Sequence, residues 1–316
     1  MFWKSSEMKL RAYILMTLVV AVWGSTFVVI KGALEDATPV AFNLIRMTLA
    51  FLLLAGGYHR AWSSIKRTHV AAGALVGLCL AAGYQFQTIG LVRTTPSKSA
   101  FITGLVVVLV PVFSIVPALR PPGARAPRWN AFVGAALAFA GIVMITAPPA
   151  AHAVGSPLAF LPDLSSINLG DLLTLGCSIS FALHCIALGH ASPRIPFQPL
   201  AILQVGFCAV FMAVSLPAIE HPHVHITARL VFALIVAAAL ATAAAFSIQS
   251  WVQSILPTTP MALILALEPV FAWITSYVVM GERLGMVAAT GAGLILSGIA
   301  LTELVPQPHL PTAHEA

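Results

Sequence analysis

The stretch PTTPMALILALEPVFAWITSYVVMGERL, residues 257–284, decides how the rest of the sequence is read. Between Thr258 and Met280 it carries one charge, Glu268, near its middle, and Pro269 follows at once. About 20 apolar residues span a bilayer core, so the segment reads as a membrane helix with a carboxyl group near the midplane, a costly placement. Pro269 has no amide to donate to the Leu265 carbonyl, which leaves that acceptor free for a partner, a water or a solute. Gly281-Glu282-Arg283-Leu284 then closes the run as a polar turn.

The same plan occurs once earlier, in TTPSKSAFITGLVVVLVPVFSIV, residues 94–116. Thr94-Thr95-Pro96 answers Thr258-Thr259-Pro260, and Pro111-Val112-Phe113 answers Pro269-Val270-Phe271, 158 residues later and so half the chain away. Trp23 with Phe181 and Arg46 with Gln204 share that offset, while Gly134 and Gly141 precede Gly291 and Gly298 by 157. This is the pattern of a duplication. The copies are not identical: the first has six more residues between its two motifs and holds Val110 where the second has Glu268.

Composition identifies the solvent as lipid. The chain is 59% hydrophobic and 8% charged, with a mean hydropathy of +0.96, far from the roughly 25% charged residues of soluble domains. The net charge of +6 therefore concerns loops and orientation rather than nucleic acid. Cys79, Cys177, Cys185 and Cys208 lie in apolar runs without metal-type spacing and read as small core residues.

Taken in order, apolar runs fall at about 12–30, 40–58, 70–92, 99–119, 129–147, 169–190, 198–218, 229–253, 259–280 and 285–304. The first lacks a small-residue cleavage site and reads as a retained helix rather than a signal peptide. The expected fold is thus an all-α integral membrane protein of ten transmembrane helices, in two inverted five-helix repeats around a central cavity. An odd number of helices per copy makes the two copies enter the membrane in opposite senses. Residues 1–147 form the first repeat, 148–168 an outer linker, 169–304 the second repeat, and 305–316 a disordered cytoplasmic tail. With the N-terminus inside, Lys4, Lys9, Arg11, Arg60, Lys66, Arg67, Arg120, Arg125, Arg128 and Arg194 lie in inner loops, against Lys31, Arg93, Lys98, Arg229 and Arg283 outside. That bias puts both termini in the cytoplasm.

The chemistry available is spare. There is no GxxxxGK[ST], HExxH or GxSxG, so neither ATP hydrolysis nor a familiar hydrolase site is encoded. The conspicuous polar residues sit inside helices: Asn43 and Arg46 in the second, Gln85 and Gln87 in the third, His184 in the sixth, Gln204 in the seventh, Gln249 and Gln253 in the eighth. Each has a structural reading as well, since hydrocarbon leaves an amide only other helices to bond to. From the outer helix ends, Arg46 lies roughly 9 Å deep and Glu268 roughly 18 Å, within reach of one another as a structural ion pair. His221, His223 and His225 alternate along an extended loop and could grip a divalent metal, but nothing nearby completes such a site. Gly73 and Gly77 mark close helix packing.

The substrate-binding candidates are Trp23, Asn43, Arg46, Tyr84, Gln87, His184, Gln249 and Trp273, and Glu268 is the candidate for proton coupling. No metal or cofactor is expected; the expected partners are the bilayer, a small-molecule substrate and protons.

Trp23-Gly24-Ser25-Thr26-Phe27, Arg46, Ser99-Ala100-Phe101-Ile102 before Pro111-Val112-Phe113, and Leu267-Glu268-Pro269-Val270-Phe271 with Gly281-Glu282-Arg283-Leu284 resemble the drug/metabolite transporter (DMT) superfamily, specifically its EamA-type ten-helix permeases. The resemblance runs from about Tyr13 to Leu304. It implies two inverted repeats about a central cavity, and export of amino acids, other metabolites or drugs across a bacterial inner membrane. Two features depart from the family pattern: Phe181-Ala182 stands where a second Trp motif often occurs, and the loop from Arg120 to Arg128 lacks a Gly-Glu-Arg-Leu.

Residues and resemblance converge on a secondary-active exporter of small amphipathic metabolites or drugs, not an enzyme. An uncoupled facilitator and a flippase for lipid or a lipid-linked precursor are the alternatives. A lipid-modifying enzyme would gather its polar residues at one interface, whereas these are dispersed near the midplane. On the topology deduced here, a cysteine placed within 148–168 reacts with an impermeant thiol reagent added to intact cells, and one within 120–128 does not. Reversed labelling overturns the orientation.

Overall fold

The computed structural model describes residues 2–122, 128–146, 167–256 and 264–304. The expected linker, the expected tail and Thr258-Thr259-Pro260 lie outside them, apart from residues 167 and 168. The regular elements of the described chain are all helical, with a single isolated bridge between Ala37 and Val224.

The first copy comprises α1 (Phe2–Ala33), α2 (Pro39–Gly57), α3 (Arg67–Leu91), α4 (Pro96–Thr103), α5 (Val106–Phe113) and α6 (Trp129–Thr146). The second comprises α7 (Leu169–Ala191), α8 (Phe197–Ile219), α9 (Ala228–Ile235), α10 (Ala245–Gln253), α11 (Glu268–Met280) and α12 (Met286–Leu304). Seven spans are long and apolar enough to cross a membrane, counting α4 with α5 as one and α9 with α10 as another. Two shorter apolar helices, Trp129–Ile145 and Met286–Leu301, and the broken span that includes α11 complete the set of ten.

Three spans depart from regular helix. The fourth was expected as one run over 99–119; it breaks at Gly104 and Leu105 and ends at Phe113, two residues after Pro111. The ninth has a short helical turn at 264–265 and then restarts at Glu268 with Pro269 in its first turn, where a missing amide costs nothing. These two breaks fall in corresponding spans of the two copies, the arrangement that marks the transport site in inverted-repeat carriers. Between α9 and α10 the chain widens into a π-type segment, Val236–Ala244, in which the Thr242 hydroxyl donates to the Ala237 carbonyl at 2.7 Å.

Helix starts follow local chemistry. Thr95 accepts from the Lys98 amide and precedes Pro96, Asn168 and Asp171 form a reciprocal capping box, and Thr227 accepts from the Leu230 amide. Large apolar side chains such as Leu52, Phe139, Val214 and Val278 lie exposed on the outside, where lipid rather than water meets them.

The copies are interleaved. α6 lies antiparallel on α12 through glycines: a methyl added at Gly291 would meet the Gly141 carbonyl oxygen at 2.6 Å, and one at Gly298 would collide with the Gly134 carbonyl. Exchanging the copies at their offset of 157 turns the first contact into the second, as a two-fold axis in the membrane plane requires. The GxxxG glycines of α3 serve packing, with Gly73 against Leu203 and Gly77 against the backbone of Gln204.

Charged ties among the described residues gather at one end, the outer one on the charge-bias assignment. Lys98 pairs with Asp171 at 2.7 Å, and Arg229 pairs with Asp36 at 2.8 Å and with Glu35. Hydrogen bonds from Arg229 and Thr227 hold the Asp36 carboxyl below the usual carboxylate range.

Overpacking the α6–α12 contact separates the copies. Gly291→Leu loses about 1–3 kcal/mol and melts earlier in detergent than the wild type. Gly293→Leu, beside which none of the described residues lies within 4 Å, melts with the wild type. Equal melting of the two variants disproves the contact.

Candidate functional site

Between the copies lies a cavity of about 80 Å³, walled by α1, α2, α3, the break between α4 and α5, α7, α10 and the start of α11. Trp23, Arg46, Tyr84, Gln87, His184, Gln249 and Glu268, seven of the nine candidates, lie on its wall. Ligand pockets commonly enclose roughly 300–1,000 Å³, so a metabolite fits only when these walls part.

Arg46 is almost wholly buried yet has no carboxylate partner among the described residues. Its Nε donates to Thr242 Oγ1 at 2.8 Å, its Nη2 to the Tyr84 hydroxyl at 3.1 Å and to the Ala241 carbonyl at 3.3 Å, and the guanidinium lies over the Tyr84 ring. Nη1 is left without a hydrogen-bond partner among the described residues. Trp23 Nε1 donates to the same Ala241 carbonyl at 2.9 Å. That shared acceptor belongs to the π-type segment, a distortion that recurs at functional sites. Tyr84 and Thr242, the two side-chain partners of Arg46, are 158 residues apart and so are counterparts in the two copies.

On the other copy, His184 bonds Gln204 at 3.0 Å, and Gln204 donates to Ser250. Gln87 reaches Thr103 at 3.5 Å, while Gln249 Oε1 is buried without a partner among the described residues. Glu268 lines the cavity, and its carboxyl takes no hydrogen bond or ion pair among the described residues. The structural pair with Arg46 that depth alone permits is not formed: the guanidinium is committed to Thr242, Tyr84 and Ala241 instead.

Two candidates lie off the cavity wall. Asn43 is fully buried behind the wall, donating to the Tyr84 carbonyl at 3.0 Å and accepting from Thr88 at 3.2 Å, so it ties α2 to α3. Trp273 is 38% exposed beside Tyr277 on the outer side of α11, away from the cavity. Five residues beyond Glu268 is about 140° around the helix, which turns the ring from cavity to lipid. The metal reading of the His221–His225 run also finds no support, since no set of potential ligands comes together among the described residues.

The backbone at Glu268 is gripped from two sides. A methyl on Gly24 of α1 would lie 2.6 Å from the Glu268 carbonyl oxygen and 2.8 Å from the Ala272 amide nitrogen, and one on Gly104 would lie 3.0 Å from Pro269. Ser25 and Thr275 bond across the same contact at 3.1 Å.

The model of the EamA-like transporter family matches residues 10–147 and again residues 168–304. The chain belongs to the EamA-like transporter family. Two relatives from Archaeoglobus fulgidus, both named uncharacterized transporters, are similar over nearly the whole chain. One is 30% identical, covering 92% of this chain and 84% of its own length; the other is 23% identical, covering 93% and 98%. A solved structure titled only "Crystal structure of protein" shares the fold, with a TM-score of 0.63, 18% identity, and coverage of 93% of this chain and 97% of that one. This EamA-like transporter is therefore a multi-pass membrane transporter and not an enzyme.

Sequence reasoning missed several wall residues of the transporter. Thr26, Thr103, Cys185 and Phe246 line the cavity, and Phe246 packs against Trp23, Tyr84 and His184. Thr26 stands three residues after Trp23 on one face of α1, a spacing that points to it. Gly24 stands within the motif but its role depends on what packs opposite, which sequence does not state.

Gly24→Ala forces α1 and α11 apart and displaces Glu268, so transport in liposomes falls while the protein still inserts. Gly32→Ala, whose added methyl meets only the end of a flexible arginine stem at 3.6 Å, transports normally. Unimpaired Gly24→Ala transport removes the clamp from the mechanism.

Proposed function

We propose that this EamA-like transporter is a secondary carrier that exports small amphipathic metabolites or drugs by alternating access, with Glu268 carrying a coupling proton. One observation carries the reading: the Glu268 carboxyl faces a cavity between the two copies and has no hydrogen-bond or ion-pair partner among the described residues. A carboxyl in such a place exchanges its proton with whichever side water can reach, the behaviour of acidic residues in membrane pumps and carriers. The chain encodes no nucleotide site, so uphill transport draws on an ion gradient.

The cargo meets a mixed wall. Phe27, Phe181, Phe246 and Leu265 supply apolar surface, and Gln249 an amide oxygen and Arg46 an N–H that are unpaired among the described residues. That set favours a compact solute with an apolar body and a polar or anionic end. The direction of export comes from the family resemblance, and termini inside the cell from the excess of basic residues in the inner loops. The relatives reported above are archaeal, and the cytoplasmic membrane of a prokaryotic cell is the setting proposed.

Purified protein in liposomes, screened against amino acids, purines and cationic dyes with and without a pH gradient, tests the proposal. The wild type concentrates at least one solute only when the gradient is present. Glu268→Gln keeps shape and hydrogen bonding but cannot titrate, so concentration is lost while exchange of solute survives. The variant stays abundant, because Arg46 keeps all its partners. A Glu268→Gln protein that still accumulates solute on pH alone rules out the proton role.

A further inference from the structure

A second, larger hollow of about 670 Å³ opens where α3 leaves α7. Near the α3 C-terminus the two helices touch through glycine, with an added methyl at Gly90 2.8 Å from the Gly170 carbonyl. Toward its N-terminus α3 turns onto α8 instead, Gly77 lying against the Gln204 carbonyl at 2.7 Å. Ala118 and Leu119 join α3 and α7 in lining the wedge-shaped hollow between them. Its side is open, since Leu75 on its wall is 57% exposed and nothing among the described residues covers it.

The wedge is polar at one end only. Thr68, His69, His190 and Arg194 stand at the loop end, and Ala72, Leu75, Cys79, Leu183 and Ile186 run inward from them. Among the described residues His69 Nδ1 and His190 Nε2 are buried without hydrogen-bond partners and Arg194 makes no ion pair. Buried imidazole nitrogens without partners are costly unless something else bonds them. From His69 to Cys79 is ten residues, about 15 Å along the helix, which is half of a hydrocarbon core of about 30 Å. The hollow therefore has the depth of one leaflet, a lateral opening into lipid, and a basic, hydrogen-bonding mouth at the membrane surface.

We propose that this wedge is a binding site for a single phospholipid with an anionic headgroup, the phosphate held by Arg194, His69 and His190 and one acyl chain lying along Leu75 and Leu183. The bound molecule belongs to the inner leaflet on the orientation proposed above; the site itself does not depend on that orientation. Its failure and that of the transport proposal are also distinct, because none of these residues lines the central cavity.

The test is native mass spectrometry of the full chain released from mild detergent with equimolar phosphatidylglycerol and phosphatidylcholine. One phosphatidylglycerol is retained in preference. Arg194→Gln, a change at an exposed position, lowers its retention about fivefold, the equivalent of about 1 kcal/mol for one cation at a membrane surface, and leaves phosphatidylcholine unaffected. Ala187→Phe, which fills the wedge, abolishes retention of both. Equal retention of the two lipids by the wild type reduces the wedge to an apolar groove and overturns the proposal. So does displacement of phosphatidylglycerol by millimolar inorganic phosphate, which would make it a site for a soluble anion.

Discussion

Hydrocarbon offers no hydrogen bond, and the interior of this transporter is arranged around that fact. Each polar group brought to mid-depth has to be bonded by another part of the protein. Trp23 and Arg46, from α1 and α2, share one carbonyl, Ala241, in the widened segment between α9 and α10. Asn43 uses the backbone of Tyr84, and His184, Gln204 and Ser250 form a chain across α7, α8 and α10. Against that background three groups on the wall of the central cavity stand out: one nitrogen of Arg46, the Gln249 oxygen and the Glu268 carboxyl have no partner among the described residues.

Bringing donors and acceptors together across two copies requires backbones to approach closely, which glycine permits. The α6–α12 contact at Gly141, Gly291 and Gly298 sits on the two-fold axis, and the Gly24 and Gly104 contacts position the first turn of α11. Small residues at such crossings are the usual means of packing membrane helices, where the hydrophobic effect gives no net pull between them. The same contacts that hold the halves together thus also set where the carboxyl lies.

Much of this was legible in the sequence. The apolar runs gave the spans, the 158-residue offset gave the repeat, and the isolated charge beside a proline pointed to Glu268. Seven of nine candidate residues line the cavity, while Asn43 and Gln204, equally polar, are bonded by neighbouring helices instead. Trp273 lies on the exposed side of α11, since an aromatic residue satisfies both lipid and protein surroundings, and Ala272 and Ser276 form the buried face. The break at Gly104 and the π-type segment left no sign, since both depend on what packs against them rather than on local propensity. The pairing of Arg46 with Thr242 was likewise hidden, because distance along a helix axis fixes depth but not direction around it.

The difference between Val110 and Glu268 has a thermodynamic consequence. Among the described residues the cavity wall carries one acidic side chain, so the first copy supplies no second carboxyl to match it. A cycle that moves a proton on this group moves one, and one pH unit is worth about 1.4 kcal/mol, or tenfold in concentration. On the proton role proposed for Glu268, the duplication that built a symmetric frame limits the attainable gradient of an uncharged cargo to about tenfold for each unit of pH difference, with the membrane voltage adding its own share.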